Sequence, residues 1–230
     1  MLSTHNLTAF YGDFQALFGI DLEISAREVV AIIGANGAGK STLLKAMTGL
    51  VLTHRDAVRF EGQPIGGRGA HQILGLGIAM VPEGRRLFPS LSVEENLMLG
   101  SYCRRPGAWN LQRVYQLFPM LREKRLAPSN SLSGGQQQMA SIGRALMSNP
   151  KLLICDEMSL GLAPIVIKDI YDALPSIVAE GITLIIVEQD VGLAMRVSNR
   201  LYCLQEGRVS LSGKSHELTR EQVSQAYFGI

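Results

Sequence analysis

The sequence has few of the features that mark disulfide-rich, metal-binding or nucleic-acid-binding chains. It contains three cysteines in 230 residues, at positions 103, 155 and 203. They are too widely spaced for a disulfide framework or a metal motif, which indicates a reduced compartment, with Cys155 packed in a core strand. The net charge of +2 gives no electrostatic reason to expect a nucleic-acid partner. The four histidines, at positions 5, 54, 71 and 216, match no ligand pattern and are expected at the surface.

Long apolar runs are also missing. The longest, such as residues 182–187, fall far short of the roughly 20 residues that span a bilayer. No basic-then-apolar signal segment opens the chain, so we expect a protein that relies on other chains for any membrane span. Hydrophobic residues nevertheless make up 47% of the sequence, which is ample for a sizeable core.

What the sequence does contain is a glycine-rich loop followed by lysine and serine. The loop reads Gly34-Ala35-Asn36-Gly37-Ala38-Gly39-Lys40-Ser41. It follows an apolar, β-branched run at 29–33 and precedes a helical pattern at 42–47, the context of a P-loop whose backbone N–H groups surround a phosphate. We expect Lys40 to reach the β- and γ-phosphates and Ser41 to hold Mg²⁺. An ordinary turn is the alternative.

A pair of acids follows a second apolar run, at residues 152–155. Asp156 stands at the tip of the predicted strand, where a second Mg²⁺ contact is expected beside a P-loop. Glu157 can polarise the attacking water as a general base. A solvated acidic turn is the alternative, and the P-loop upstream favours the catalytic interpretation.

A second glycine-rich loop, Leu132-Ser133-Gly134-Gly135-Gln136, opens another predicted helix. Apolar residues follow at helical spacing until Asn149-Pro150 ends the pattern. The amides at this helix N-terminus would form a second anion site, with a helix cap that binds no ligand as the alternative. Because one nucleotide already occupies the first loop, a second site needs another phosphate or the nucleotide of another subunit.

In this order, the P-loop, the Leu-Ser-Gly-Gly-Gln segment and the apolar run ending in Asp-Glu resemble the ATP-binding-cassette (ABC) ATPases. Val-Pro-Glu-Gly-Arg-Arg-Leu-Phe at 81–88 and Val-Glu-Gln at 187–189 narrow the resemblance. They look like the second ATPase subunit of bacterial branched-chain amino acid importers. The resemblance runs from about Leu2 to Gly229.

The resemblance implies an α/β fold: a three-layer P-loop NTPase core of the RecA-like type, an antiparallel β subdomain and an α-helical signature subdomain. Residues 1–230 would form one nucleotide-binding domain, with about 1–28 and 57–62 in the β subdomain and about 85–149 in the helical one. The local patterns agree. They predict parallel core strands at 29–33, 78–81, 152–155 and 183–187, and an antiparallel sheet from 2–24 with 58–60. They also predict a capping box at 92–95, helix over 109–126, and a closing helix from Ser215.

The resemblance further implies two chains paired head to tail around two ATP molecules. Residues of one P-loop would face Ser133 and Gly135 of the other chain across each γ-phosphate, and Tyr11 matches the aromatic residue that stacks on adenine. A half-buried strand residue is the alternative for Tyr11. The residues assigned to ATP are Tyr11, Gly34, Asn36, Gly37, Ala38, Gly39, Lys40, Ser41, Thr42, Ser133, Gly134, Gly135 and Gln136. Catalysis is assigned to Lys40, Glu157 and Gln189, and Mg²⁺ to Ser41, Glu83 and Asp156.

Some residues depart from the superfamily pattern. Glu83 stands where Gln is usual, and a carboxylate can also bind Mg²⁺, with more charge; a surface acid is the alternative. Gln189 stands where His is usual, and its amide can donate to the γ-phosphate but cannot become cationic. Met158 replaces the usual Pro after the acid pair. Pro175 either kinks the helix that Pro164 begins or starts a second segment.

The implied partners are transmembrane permease subunits, a second ABC ATPase subunit and, indirectly, a periplasmic amino-acid-binding protein, with no nucleic acid. The family suggests a heterodimer in the transporter, with a homodimer as the arrangement in isolation, at the cytoplasmic face of the inner membrane. One alternative function is an importer subunit for urea or short amides, although those relatives more often read Pro-Gln-Gly-Arg. A soluble cassette protein acting on DNA or ribosomes is another, but it usually carries long insertions or fused cassettes.

Overall fold

A computed structural model describes residues 1–228, so Gly229 and Ile230, which the predicted domain includes, lie outside the described residues. Contacts divide the chain into two compact units. The first comprises residues 1–73 and the segment from 183 onward, and the second comprises residues 74–182. No helix within residues 1–228 has both the length and the apolar character needed to cross a membrane.

Strands and helices are interspersed along the chain. The strands are β1 (Leu2–Tyr11), β2 (Phe14–Ile24), β3 (Val29–Ile33), β4 (Val58–Phe60), β5 (Gln63–Pro64), β6 (Ile78–Val81), β7 (Leu152–Asp156), β8 (Thr183–Val187), β9 (Arg200–Gln205) and β10 (Arg208–Lys214). The helices are α1 (Lys40–Met47), α2 (Ala70–Leu76), α3 (Val93–Leu99), α4 (Leu111–Leu117), α5 (Pro119–Glu123), α6 (Gly134–Leu146), α7 (Pro164–Ala179), α8 (Val191–Val197) and α9 (Arg220–Phe228).

The first unit contains an antiparallel sheet in the order β2-β1-β4-β5. Its β1–β2 hairpin turns through two residues, with Gly12 at φ 58°, and Tyr11 stands directly opposite Phe14. This confirms the predicted antiparallel pairing of residues 2–24 with 58–60. Positive φ at the first residue of a two-residue turn is the reason for glycine there.

The same unit also contains a parallel set of strands. Strand β3 lies between β8 and β9 and is parallel to both, and β10 returns antiparallel beside β9. Every residue of β3 and β8 is buried. This explains why both strands read as continuous β-branched and apolar runs rather than as alternating patterns.

The second unit pairs β6 with β7 in parallel and is otherwise helical. All five residues of β7 are buried, including Cys155, as predicted. Helix α3 begins at the predicted capping box, in which the Glu95 N–H donates to Ser92 Oγ and the Glu95 carboxylate accepts from the Ser92 N–H. Helix α7 starts with Pro164 and runs unbroken past Pro175, so Pro175 does not begin a separate segment.

Two predicted helices are corrected. The stretch 109–126 is not one helix, because α4 ends at Leu117 and α5 begins at Pro119. Pro119 has no N–H to continue the ladder, and it forces Phe118 to an extended φ of −130°. In the first unit, the closing helix begins at Arg220 and not at Ser215. Ser215 is buried and its hydroxyl hydrogen-bonds that of Ser198.

Candidate functional site

The glycine-rich loop leaves the buried end of β3 and enters α1 in a geometry that glycine makes possible. Gly34, Gly37 and Gly39 all have positive φ, at 152°, 83° and 102°. A Cβ on Gly34 would overlap the carbonyl oxygen of Leu204, whereas a Cβ on Gly37 would meet nothing within 4 Å. The loop is therefore closely packed at Gly34 and open at Gly37, which is exposed.

Lys40, the first residue of α1, folds back over this loop. Its Nζ donates to the carbonyl oxygens of Gly34 at 2.8 Å and Ala35 at 3.1 Å. The side chain is only 5% exposed although it is cationic. The contacts hold the Lys40 ammonium against the main chain of the loop, where a cation suits an anionic ligand.

The turn between β9 and β10 is hydrogen-bonded to the glycine-rich loop, a contact that the sequence patterns did not predict. The Gly207 N–H donates to the Ala38 carbonyl at 3.0 Å, and the Gly207 carbonyl accepts from the Phe18 N–H at 2.9 Å. Gly207 has φ 72°, and a Cβ there would overlap the Ala16 carbonyl. The β9–β10 turn thus links the P-loop to strand β2, and only its glycine hinted at this role.

Tyr11 lies at the tip of the β1–β2 hairpin in the same unit. Its hydroxyl is 3.5 Å from the Thr42 hydroxyl at the start of α1. Tyr11 is the last residue of β1 and its side chain is 46% exposed, which agrees both with a stacking role and with the alternative of a half-buried strand residue. Phe14, directly opposite on the hairpin, is 70% exposed. The hairpin tip therefore presents aromatic surface beside the P-loop helix.

Gln189 follows β8, and the strand register sets its position. Ile32 of β3 is level with Val187 of β8, and the Glu188 N–H donates to the Ile32 carbonyl at 3.2 Å. Gln189 is therefore level with the start of the glycine loop, at the carboxyl ends of two parallel strands. Ligands of parallel α/β sheets bind at this edge. The side chain of Gln189 is exposed, so its amide can approach a ligand.

The second unit places the acidic residues by the same rule. Val81 of β6 is level with Cys155 of β7, so Glu83 and Glu157 each lie two residues beyond a matched pair. Asp156 is 4% exposed, whereas Glu83 is exposed. Glu157 has φ 46°, an uncommon backbone for a non-glycine residue. Such strain occurs most often where a side chain must be aimed for function.

The second glycine loop forms a helix N-terminus, as predicted. Ser133 caps α6 through a capping box, accepting from the Gln136 N–H at 3.4 Å while its own N–H donates to Gln136 Oε1 at 3.0 Å. Ser133 is exposed and Gly135 is buried. A Cβ on Gly135 would overlap Val166 of α7, so the glycine is required by packing as well as by any ligand.

The two arginines that follow Gly84 differ in burial, since Arg86 is exposed. Arg85 is half-buried, and its guanidinium would contact a Cβ placed on Gly134, at 3.2 Å. Arg144 of α6 donates to the carbonyls of Arg85 and Arg86, at 3.1 and 2.8 Å. Burial lowers the pKa of Arg144, but a guanidinium stays charged at neutral pH.

The glycine-rich loop of the first unit fits the phosphates of a nucleotide. The glycine cradle is open above Gly37, and the Lys40 ammonium lies at its base. Within the described part of the chain no cluster of three or more His, Cys, Asp or Glu residues could hold a metal ion alone. Mg²⁺ is typically bound by one or two carboxylates together with substrate phosphates, so binding it does not require such a cluster. The four histidines are exposed, as predicted.

Comparison with known proteins supports the same interpretation. The model of a family described as ABC transporter matches residues 17–159. The chain is 42% identical to the high-affinity branched-chain amino acid transport ATP-binding protein BraG of Pseudomonas aeruginosa, over 100% of both chains. It is 33% identical to the probable branched-chain amino acid transport ATP-binding protein LivF of Archaeoglobus fulgidus, over 96% of this chain and 95% of the relative.

A solved structure shares the fold. It is a dimeric, post-hydrolysis state of an ATP-binding cassette bound to ADP and Pi. The TM-score is 0.83 at 26% identity, over 94% of this chain and 99% of that one. This likeness confirms the predicted α/β fold of the P-loop NTPase type.

Proposed function

The chain belongs to the ABC transporter family, and we propose that it is the ATP-hydrolysing motor subunit of an importer for branched-chain amino acids. The observation that carries the proposal is the P-loop, in which the buried Lys40 ammonium lies at the base of an open glycine cradle. The choice of substrate class rests on the full-length similarity to BraG. We further propose that residues 1–230 act as one nucleotide-binding domain, with about 1–28 and 57–62 as its β subdomain and about 85–149 as its helical subdomain.

In the proposed reaction, the backbone amides of residues 34–42 bind the phosphates of ATP. Lys40 exchanges its contacts with the Gly34 and Ala35 carbonyls for phosphate oxygens, which neutralises charge on the β- and γ-phosphates. Tyr11, exposed beside Thr42, stacks on the adenine ring.

We assign the remaining roles residue by residue. Ser41, Asp156 and Glu83 supply oxygen ligands for Mg²⁺, which when bound neutralises charge on the phosphates. Glu157 orients the attacking water and accepts its proton. Gln189 donates an amide hydrogen bond to the γ-phosphate.

Helix α6 of each cassette acts on the nucleotide of a second cassette. Ser133 is exposed at the N-terminus of α6, so its helix end is accessible to another subunit. Its amides and the partial positive charge of the helix end stabilise charge that develops on the γ-phosphate. Gly134, Gly135 and Gln136 contribute to this site. The second cassette is a related ATPase in the transporter and a second copy of this chain in isolation.

The transporter would also contain transmembrane permease subunits and, indirectly, a periplasmic amino-acid-binding protein. The chain would therefore act at the cytoplasmic face of the inner membrane as a peripheral subunit. ATP binding closes the pair of cassettes, hydrolysis reopens it, and the attached permease helices follow.

Glu157→Gln tests the motor function. The amide keeps the shape of the carboxylate but cannot accept a proton, so ATP should still bind while turnover falls by at least about 100-fold. Without hydrolysis the pair should remain closed, and sedimentation velocity with Mg·ATP should show a stable dimer. Lys40→Ala is the matched control, which should bind no ATP and stay monomeric. A Glu157→Gln chain that stays monomeric with bound ATP and hydrolyses it at the wild-type rate would refute the proposal.

Uptake of radiolabelled leucine tests the substrate class. A strain that lacks this chain should lose high-affinity leucine uptake and recover it with the wild-type chain but not with Lys40→Ala. Urea uptake in the same strains is the comparison. If urea uptake is lost and leucine uptake is retained, the alternative importer class is correct.

A further inference from the structure

The turn that follows β6 has an unusual backbone. Gly84, Arg85 and Arg86 are three consecutive residues in the left-handed region, at φ 74°, 65° and 48°. Glycine adopts this conformation freely, but a side chain with a Cβ does so rarely and at a cost. Within the turn, the Arg85 N–H donates to Pro82 at 3.3 Å and the Arg86 N–H donates to Gly84 at 2.6 Å. Two arginines in this conformation require support from outside the turn.

Helix α6 provides that support through three hydrogen bonds to main-chain carbonyls. Ser141 Oγ donates to the Arg85 carbonyl at 2.9 Å. Arg144 Nη2 donates to the same carbonyl at 3.1 Å, and its Nη1 donates to the Arg86 carbonyl at 2.8 Å. Ser141 and Arg144 are three residues apart and therefore lie on one face of the helix. The planar guanidinium suits two carbonyls in a way that a lysine ammonium does not.

The position of Arg144 is itself fixed by packing. A Cβ on Gly100 would overlap the Arg144 carbonyl, and a Cβ on Gly143 would meet Leu97 at 2.8 Å and Val114 at 2.7 Å. These close approaches hold α6 against its neighbours at the point where Arg144 emerges. The strained turn is therefore attached to a rigid part of the second unit.

We propose that Arg144 is a positioning residue for ATP hydrolysis: it holds the 84–86 turn in its left-handed conformation and so places Glu83, the residue before the turn, for Mg²⁺. The inference rests on the proposed function, because Glu83 matters here only as a ligand of the nucleotide-bound ion. The turn also contacts the loop at 132–136, since the Arg85 guanidinium lies against Gly134. Arg144 thereby sets the position of Glu83 relative to the N-terminus of α6.

The strain in the turn allows a rescue experiment. Arg144→Met removes two of the three supporting hydrogen bonds but leaves the P-loop intact. We expect kcat for Mg·ATP to fall by about tenfold or more, which corresponds to about 1.4 kcal/mol, with KM for ATP nearly unchanged. Equilibrium binding of Mn²⁺ to the ATP-bound chain, measured by electron paramagnetic resonance, should also weaken in Arg144→Met, and unchanged Mn²⁺ binding would overturn the positioning role. Glycine at position 86 favours the left-handed backbone without support. Arg86→Gly should therefore restore most of the kcat lost in Arg144→Met.

The matched control is Arg104→Gly. Arg104 is another exposed arginine of the same unit with left-handed φ, 49°, but outside the turn. When it is combined with Arg144→Met, it should restore none of the lost kcat. If Arg144→Met does not fold, as judged by circular dichroism, Ser141→Ala is used in its place and combined with the same two glycine substitutions. Because Ser141→Ala removes one hydrogen bond, kcat should then fall by about threefold.

The outcomes separate this inference from the proposed function. Wild-type kcat in Arg144→Met, or equal rescue by Arg86→Gly and Arg104→Gly, would overturn the positioning role while leaving the ATPase function intact. A wild-type chain with no ATPase activity would overturn the proposed function, and the positioning role with it. Selective rescue by Arg86→Gly would support the inference, because general stabilisation of the helical unit would not depend on which arginine is replaced.

Discussion

Replacing Gly34 by alanine gives the sharpest test of how the P-loop is built. The new Cβ would overlap the Leu204 carbonyl and lie 3.1 Å from the Ala38 Cβ. Leu204 belongs to β9, which pairs with both β3 and β10, so its carbonyl cannot retreat without disturbing two ladders. The positive φ of Gly34 adds a backbone cost of its own.

The two terms give the magnitude. Overpacking costs about 1–3 kcal/mol, and an L-residue at positive φ costs about 1–2 kcal/mol. We therefore expect Gly34→Ala to lower the free energy of unfolding by roughly 3 kcal/mol. Gly37→Ala is the matched control in the same loop, because it has φ 83° but nothing within 4 Å of the new Cβ. It should lose only about 1 kcal/mol, the backbone term alone.

Thermal unfolding without nucleotide measures the difference. For a chain of this size, a difference of about 2 kcal/mol corresponds to a Tm difference of roughly 4–8 °C between the two variants. Binding of a fluorescent ATP analogue should also be weaker in Gly34→Ala, because the displaced loop carries the phosphate-binding amides. Equal melting temperatures for Gly34→Ala and Gly37→Ala would refute the steric explanation.

Two further predictions concern the pH dependence of ATP turnover and of stability. Gln189→Ala should lower ATP turnover while leaving the shape of its pH profile almost unchanged, since an amide does not titrate; a large shift near about pH 6–7, where imidazole titrates, would contradict the role of a neutral donor. Tyr115 donates to Glu94 at 2.8 Å, and burial together with that bond raises the pKa of Tyr115. The unfolded chain therefore ionises first, and the stability due to Tyr115, complete below about pH 10, should decline as pH rises above it. Urea unfolding at several alkaline pH values should show a smaller fall in the free energy of unfolding for Tyr115→Phe than for the wild-type chain. Equal falls in the two chains would contradict this prediction.

Local patterns were sufficient for much of the fold. The runs at 29–33, 152–155 and 183–187 are strands because continuous β-branched and apolar residues suit burial on both faces. The capping box at 92–95 and the helix start at Pro164 depend on neighbours within one turn, and both are present as predicted. The break at Pro119 was also encoded locally, but the apolar spacing on either side concealed it.

Other features depended on residues far apart in the sequence, and only the tertiary structure decided them. The last helix does not begin at Ser215, because the Ser215 hydroxyl is hydrogen-bonded to that of Ser198. The support of the 84–86 turn comes from Arg144, 58 residues beyond Arg86. The sequence by itself determined which residues form strands, phosphate loops and helix caps, because those are set by periodicity and nearest neighbours. Which glycines are required by packing, and which arginine holds a strained turn, was decided by folding, because both depend on atoms that chain topology brings together.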